Sequence, residues 1–253
     1  MRTQAFYRAL LNAGHQVRLL LLVRDAPTTS APKDWTGIIP ITEEGAGWID
    51  YAKSLKLGAD LIVSAGPYNP GRLATAIADN EPVWVDIPGD PLAELQALAL
   101  ASPTPLSKAQ IASAYSGAVQ VLNRADAISV ISGPQRHATW GQLGLLGRLL
   151  SEDTTPTTHI LPITHDGSLK GASPRAPNSD EDTIIALSGG FNPWFNADGL
   201  MTAFDIAFKR RSDLRLICTG GGIPGFFEAS YKRFSSWAEQ YPSRVHLHGW
   251  LPH

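Results

Sequence analysis

The sequence predicts an α/β protein made of two parallel-sheet units. Three observations carry this. Short apolar runs alternate with longer segments of helical period through most of the 253 residues, the pattern of βαβ units. Several runs, such as Gln16 to Val23, are almost wholly apolar, as strands covered on both faces are. Between them lies one stretch without apolar period, HDGSLKGASPRAPNSD, His165 to Asp180, which reads as a linker.

In chain order, a first helix covers Thr3 to Asn12 and stops at Gly14, where a left-handed cap is cheapest. Strands follow at Gln16 to Val23 and Gly37 to Ile41, then a helix from Ile49 to Leu57. Asp60 to Ser64 is a strand running into the loop AGPYNPG, and the helix Arg72 to Asn80 leads to the strand Pro82 to Ile87. A PGDP loop opens the helix Leu92 to Ala101, and Pro103 and Pro105 break the chain. The helix Lys108 to Arg124 feeds the strand Ala127 to Ile131. Ser132 is an N-cap for the next helix, with Pro134 in its first turn. His159 to Ile163 closes the first unit. The second unit reads strand Thr183 to Ser188, helix Asp198 to Lys209, strand Leu214 to Thr219, helix Pro224 to Glu239 and strand Val245 to Gly249. The expected organisation is a domain of residues 1–165, a linker of 166–181 and a domain of 182–253. The first domain opens on a helix and the second stops after three strands, fewer than the usual ~4–6 of a sheet. Sequence missing at both ends is therefore expected.

Composition narrows the function classes. Net charge is −2 with both signs mixed along the chain. With no polybasic tract, neither nucleic acid nor an anionic membrane surface is the expected partner. The single cysteine, Cys218, excludes an intrachain disulfide framework. The apolar run Arg18 to Val23 is too short to span a bilayer. A cytoplasmic protein without a transmembrane segment is expected.

Chemistry is expected where strands end. SGGFNPWFNADG, Ser188 to Gly199, follows a strand and precedes a helix. Glycines there admit a ligand to backbone amides, and a helix start favours an anion. Gly189, Gly190, Phe191, Asn192 and Trp194 are the candidate contacts, with Trp194 and Phe195 placed to stack on a sugar or base. The alternative is a glycine turn with aromatic plugs. CTGGGIPG, Cys218 to Gly225, matches G-x-G-x-x-G at Gly220, Gly222 and Gly225, and Gly221 and Gly222 join the candidates. A dinucleotide site also needs an acid at the end of the next strand. That strand, VHLHG, ends in Gly249 and Trp250, and Glu239 lies in the preceding helix. Hydride transfer by a nicotinamide enzyme is therefore the weakest reading, and a tight strand–helix turn stands beside phosphate binding.

In the first unit the loops SAGPYNPGR and DIPGDP follow strands, making Tyr68, Asp86 and Asp90 candidates. An aspartate there either accepts hydrogen bonds from a hydroxyl ligand, acts as a base, or caps a turn. Arg136 and His137 follow a strand in SGPQRHATW, placed either to meet a phosphate or on a solvated helix face. His246 and His248 share a strand face without a carboxylate or thiolate nearby, so no metal is expected. Neither a nucleophile elbow nor a Walker A sequence is present.

Taken in order, these segments resemble the GT-B glycosyltransferases of the large retaining family four. IIALSGGFNPWF, the helix through LMTAF, LRLICTGGG and VHLHGWLP resemble the donor half. LLNAGHQVRLLLL and ADAISVISGPQRHATWGQLGL resemble parts of the acceptor half. The resemblance implies two Rossmann-like domains facing a cleft, the second incomplete. It implies transfer of a sugar from a nucleotide-diphosphate sugar to a hydroxyl acceptor (saccharide, lipid-linked or small molecule) without an obligatory metal or other cofactor. It assigns donor contacts to Gly189, Gly190, Phe191, Asn192, Trp194, Gly221 and Gly222, leaves Tyr68, Asp86, Asp90, Arg136 and His137 to the acceptor side, and names no catalytic residue. The arginine and lysine many relatives carry after the first donor-domain glycine are replaced by Gly190 and Phe195. The family's Glu-x7-Glu segment would lie beyond His253 and its first strand before Met1. A non-catalytic nucleotide- or sugar-binding protein on the same scaffold is the alternative.

Overall fold

The computed structural model describes residues 2–23, 37–40, 47–54, 58–101, 104–152, 155–163, 182–193, 195–223 and 228–251. The expected linker, 166–181, lies outside them, as does Trp194. The chain forms two compact units, one of Met1–Ala93 and Ser107–Lys170, the other of Glu94–Leu106 and Gly171–His253.

In the first unit α1 (Arg2–Asn12) leads to the parallel pair β1 (Leu20–Val23) and β2 (Gly37–Pro40), followed by α2 (Gly47–Ser54). Gly14 adopts φ 90° after α1, and His15 N donates to Leu10 O at 3.1 Å, so the helix stops where a left-handed residue was expected. β3 (Ile62–Ser64), α3 (Asn69–Ile77), β4 (Val83–Ile87), α4 (Pro91–Ala101), α5 (Lys108–Arg124), β5 (Ala127–Val130), α6 (Gly133–Leu145) and β6 (Thr157–Ile160) follow, the boundary between the units falling within α4. β3, β4, β5 and β6 make one four-stranded parallel sheet in chain order.

Alternation sorts the residues of that sheet. Val83, Val85, Ile87, Ile128 and Val130 point to one face and are buried with Ala74 of α3, Val121 and Leu122 of α5, and Leu143 of α6. Trp84, Asp86 and Ser129 point to the other, where α1 places Phe6 edge-on against Trp84 at 5.1 Å between ring centroids. Helices therefore cover both faces, as a parallel sheet requires. The sequence reading did not separate β1 and β2 from this sheet. Among the described residues they pair only with each other, packing Leu20 and Leu22 against Leu73 and Ile77 of α3. Apolar period marks a strand but not its neighbour, which only tertiary packing decides.

The second unit carries a three-stranded parallel sheet, β7 (Thr183–Phe191), β8 (Leu214–Gly222) and β9 (Val245–Gly249), with α7 (Ala197–Arg210) and α8 (Glu228–Ala238) as the connections. Both helices pack on one face. Leu214, Leu216 and Cys218 of β8 are buried against Phe204 and Phe208 of α7 and Phe234 and Trp237 of α8. Asp205 joins the helices by accepting from Trp237 Nε1 at 2.7 Å and Tyr241 Oη at 2.8 Å. The hydrogen bond to Asp205, followed by burial, holds the tyrosine hydroxyl above its usual titration range. Both units are Rossmann-like in their parallel β–α alternation.

Candidate functional site

Ligands of open parallel sheets bind beyond the carboxyl ends of the strands, and in the second unit those ends are rich in glycine. β7 and β8 pair in register through Gly189↔Gly220, Gly190↔Gly221 and Phe191↔Gly222. Here the structure corrects the expected boundaries. The strands do not stop at Ser188 and Thr219 to form turns; the ladder continues through all five glycines. It does so in a conformation few other residues adopt, with φ 139° at Gly189 and 97° at Gly220.

The five glycines are not equivalent. A Cβ on Gly220 would lie 2.1 Å from the Gly189 carbonyl oxygen. One on Gly190 would lie 2.9 Å from Ile223 Cδ1 and 3.3 Å from Trp250 Cη2. Gly221 and Gly222 face Tyr231, at 3.2 and 3.3 Å from an added Cβ. At these four positions the protein's own atoms occupy the room a side chain would need. Gly189 differs, because an added Cβ would find nothing within 4 Å. It is the glycine of the set at which a ligand can reach the backbone directly.

The residues after β7 divide in the same way. Phe191 is 1% exposed, with Phe195, Tyr231 and Phe234 rings 4.5, 5.1 and 4.9 Å from its own. Only its backbone faces the strand end. Phe195 packs on the same core. Asn192 accepts from Phe195 N at 3.0 Å through its backbone. Its side-chain Oδ1 is buried with no hydrogen-bond partner among the described residues, an arrangement that costs about 1–3 kcal/mol unless something donates to it. Trp194 and Gly225 lie outside the described residues.

One aromatic at this edge was given no role by the sequence reading. Trp250 follows β9, donates its indole Nε1 to Gly222 O at 3.2 Å, and is 57% exposed. The signal was an aromatic directly after a strand ending in glycine (Gly249, φ 65°) beside two other glycine-ended strands.

Several charged groups of this unit are tied to one another or to backbone carbonyls. Asn196 caps α7 by accepting from Gly199 N at 2.9 Å, and Asp198 in the first turn pairs with Arg233 at 3.2 Å. Arg211 pairs with Asp213, Arg215 with Asp182 at 3.1 Å, and Arg244 donates to Phe208 O at 2.8 Å. Gly190 and Phe195, where the resemblance expects a basic pair, supply no charge. Among the described residues the glycine edge therefore presents backbone dipoles rather than cations. A separate groove of about 590 Å³ runs between α7 and α8, lined by residues of those helices and Gln240, none of them on the glycine edge.

In the first unit Asp86 is fully buried near the carboxyl end of β4. Arg2 donates to its carboxylate through Nε and, at 2.8 Å, Nη2, and Ser129 Oγ donates at 2.5 Å. Arg2 Nη2 also donates to Leu161 O at 3.0 Å, so one guanidinium ties α1 to β4 and to the end of β6. In this arrangement Asp86 holds Arg2 in place and is turned away from solvent. Asp90 accepts from Leu92 N at 2.9 Å and Ala93 N at 3.1 Å, capping α4, and from Gln142 Nε2 of α6 at 2.8 Å. Tyr68 stands half-exposed at the start of α3. Arg136 lies 4.9 Å above the Trp140 ring, and His137 is 5.6 Å from that ring. Asp90 and the Arg136–His137–Trp140 group thus meet at α6. Among the described residues no three His, Cys, Asp or Glu side chains gather as a metal site, and His246 and His248 are both exposed on β9. No helix of the described residues is long and apolar enough to cross a membrane.

No protein-family model matches the chain, and no curated protein sequence matches it. Among solved structures it is similar to the crystal structure of Anabaena HepE in complex with UDP and glucose, at 17% identity and a TM-score of 0.54. The likeness covers 82% of this chain and 52% of HepE, so the chain spans about half the length of that structure. At this identity the likeness is one of fold.

Proposed function

We propose that the chain is part of a GT-B glycosyltransferase that moves a sugar, with retention, from a nucleotide-diphosphate sugar to a hydroxyl acceptor. The acceptor is a saccharide, a lipid-linked glycan or a small molecule. The bond from sugar C1 to the diphosphate oxygen breaks, a bond from C1 to the acceptor oxygen forms, and the acceptor proton leaves with the nucleoside diphosphate.

The observation that carries this reading is the convergence at the ends of β7, β8 and β9. Gly189 opens its backbone to space, and Trp250 stands exposed against Gly190 and Gly222. A sugar nucleotide offers what suits these: a diphosphate for backbone N–H groups and a flat base for an exposed ring. Stabilisation of the leaving diphosphate by fixed backbone dipoles is the electrostatic form of catalysis. The fold shared with a structure holding UDP and glucose agrees with this.

The test is calorimetric titration of the protein, expressed to its natural termini, with UDP, GDP, ADP and their glucose conjugates. Binding of at least one diphosphate, with slow hydrolysis of its sugar conjugate, is expected. Absence of binding by all of them would overturn the reading. The uncharged residues at Gly190 and Phe195 favour one other reading, a sugar-nucleotide-binding protein without transfer activity. It predicts binding with no release of nucleoside diphosphate in the presence of any acceptor.

A further inference from the structure

The groove between α7 and α8 is built from two facing stripes. Along α7, Asp198, Thr202 and Asp205 recur at three- and four-residue steps and so share one helix face. Along α8 and the turn after it, Arg233, Ser236 and Gln240 do the same. At one end Arg233 closes on Asp198 through two hydrogen bonds of 3.2 Å. Farther along, Asp205 is held rigidly, its Oδ1 accepting from both Trp237 Nε1 at 2.7 Å and Tyr241 Oη at 2.8 Å. Its Oδ2 has no hydrogen-bond partner among the described residues, although each carboxylate oxygen can accept about two. A carboxylate fixed in this way loses little freedom when a ligand donates to it.

The charges around the groove are already neutralised. Asp198 pairs with Arg233, and Lys232 lies 3.6 Å from Glu228. An anion therefore finds no unpaired cation among the lining residues, and a cation must compete with these pairs. What stays unspent is neutral chemistry. Ser236 and Gln240 are exposed, and their side chains make no hydrogen bond among the described residues. Thr202 Oγ1 donates to Asp198 O at 2.9 Å and keeps its lone pairs. Met201 and the 6% exposed Trp237 add apolar surface.

We infer that this groove is a docking site for a neutral saccharide, separate from the glycine edge. Sugar hydroxyls donate and accept, so one chain can give protons to Asp205 Oδ2 and Thr202 and exchange hydrogen bonds with Ser236 and Gln240. Its C–H faces rest on Met201 and Trp237. The volume of about 590 Å³ falls within the ~300–1,000 Å³ of small-molecule sites. The inference does not rest on the sugar-nucleotide reading, because none of these residues lies on the glycine edge.

The experiment screens the protein, expressed to its natural termini, against an array of neutral and acidic oligosaccharides. The tightest neutral binder is then titrated into protein carrying methyl-labelled methionine. Retention of at least one neutral oligosaccharide is expected, with movement of the methyl resonance that is missing from Met201→Leu. Asp205→Asn keeps an acceptor for Trp237 and Tyr241 but removes the charge, and it is expected to weaken this binding about 10- to 150-fold, the range of one lost hydrogen bond to a charged group. Ser236→Trp, at an exposed position, fills the groove and is expected to abolish the binding while leaving UDP affinity and the urea midpoint unchanged. No neutral oligosaccharide retained, acidic ones retained in preference, a still Met201 resonance, or binding untouched by Ser236→Trp overturns the inference. Wild-type protein that retains a neutral oligosaccharide and binds no UDP sinks the sugar-nucleotide reading and leaves this one standing.

Discussion

A methyl group added to Gly220 would sit 2.1 Å from the Gly189 carbonyl oxygen, on a residue with φ 97°. Gly220→Ala thus combines left-handed strain with a backbone clash, and it is expected to cost about 2–6 kcal/mol of stability. Gly189→Ala meets no atom within 4 Å and carries the strain alone, about 1–3 kcal/mol. It instead places a methyl where a ligand would approach, so a fall in UDP affinity of about tenfold or more is expected while the protein stays folded. Urea unfolding and calorimetric titration of the two variants separate the roles. At this scale the sequence showed that the glycines mattered but not which of them was spent on packing. All five belong to the motifs SGG and TGGG, and the neighbours that distinguish them, Ile223, Tyr231 and Trp250, are set by the fold. Asp86 was ambiguous for the same reason. Its partner Arg2 is 84 residues away, and no local pattern announces it.

Elements were legible where their ends are locally determined. α5 runs from Lys108 to Arg124 as expected, because Ser107 accepts from Gln110 N and the Gln110 side chain accepts from Ser107 N, a capping box written in four consecutive residues. Strand ends were less legible. β1 begins at Leu20 and not Gln16, pairing with the four described residues of β2. The start of β7 shows what such an end depends on. Thr183 N donates to Asp213 O at 2.8 Å and Thr183 Oγ1 to Asp213 Oδ2 at 3.0 Å, with Arg211 completing the cluster. The Arg211 hydrogen bond, followed by that of Thr183, lowers the Asp213 carboxyl from its ordinary 3.8 to about 2. A carboxyl lowered on folding stabilises above its unfolded value and loses that contribution as pH falls through the folded one. Wild type should therefore exceed Asp213→Asn in unfolding temperature at pH 5, with the difference shrinking below pH 4 and gone only below pH 2. A difference independent of pH would show that the carboxylate charge contributes nothing at this end.

For the whole molecule, two parallel-sheet units with β–α alternation were readable from apolar runs. Strand adjacency was not, because the same runs fit a continuous first sheet or the separate β1–β2 pair that is found. The exposure of Trp250 was also out of reach, since a tryptophan after a strand reads equally as core or surface. Cys218 carries a consequence at this largest scale. It is the chain's one thiol, 1% exposed beneath α7 and α8, and burial raises its pKa. A thiol reagent can consume it only after the second sheet parts from its helices, so its modification times that opening. A ligand bound to the closed form at a hundred times its dissociation constant withholds the opening about a hundredfold. Labelling slowed to that degree by UDP would register occupancy of the glycine edge from a sulfur atom buried beneath α7 and α8, and unchanged labelling would show the nucleotide binding elsewhere.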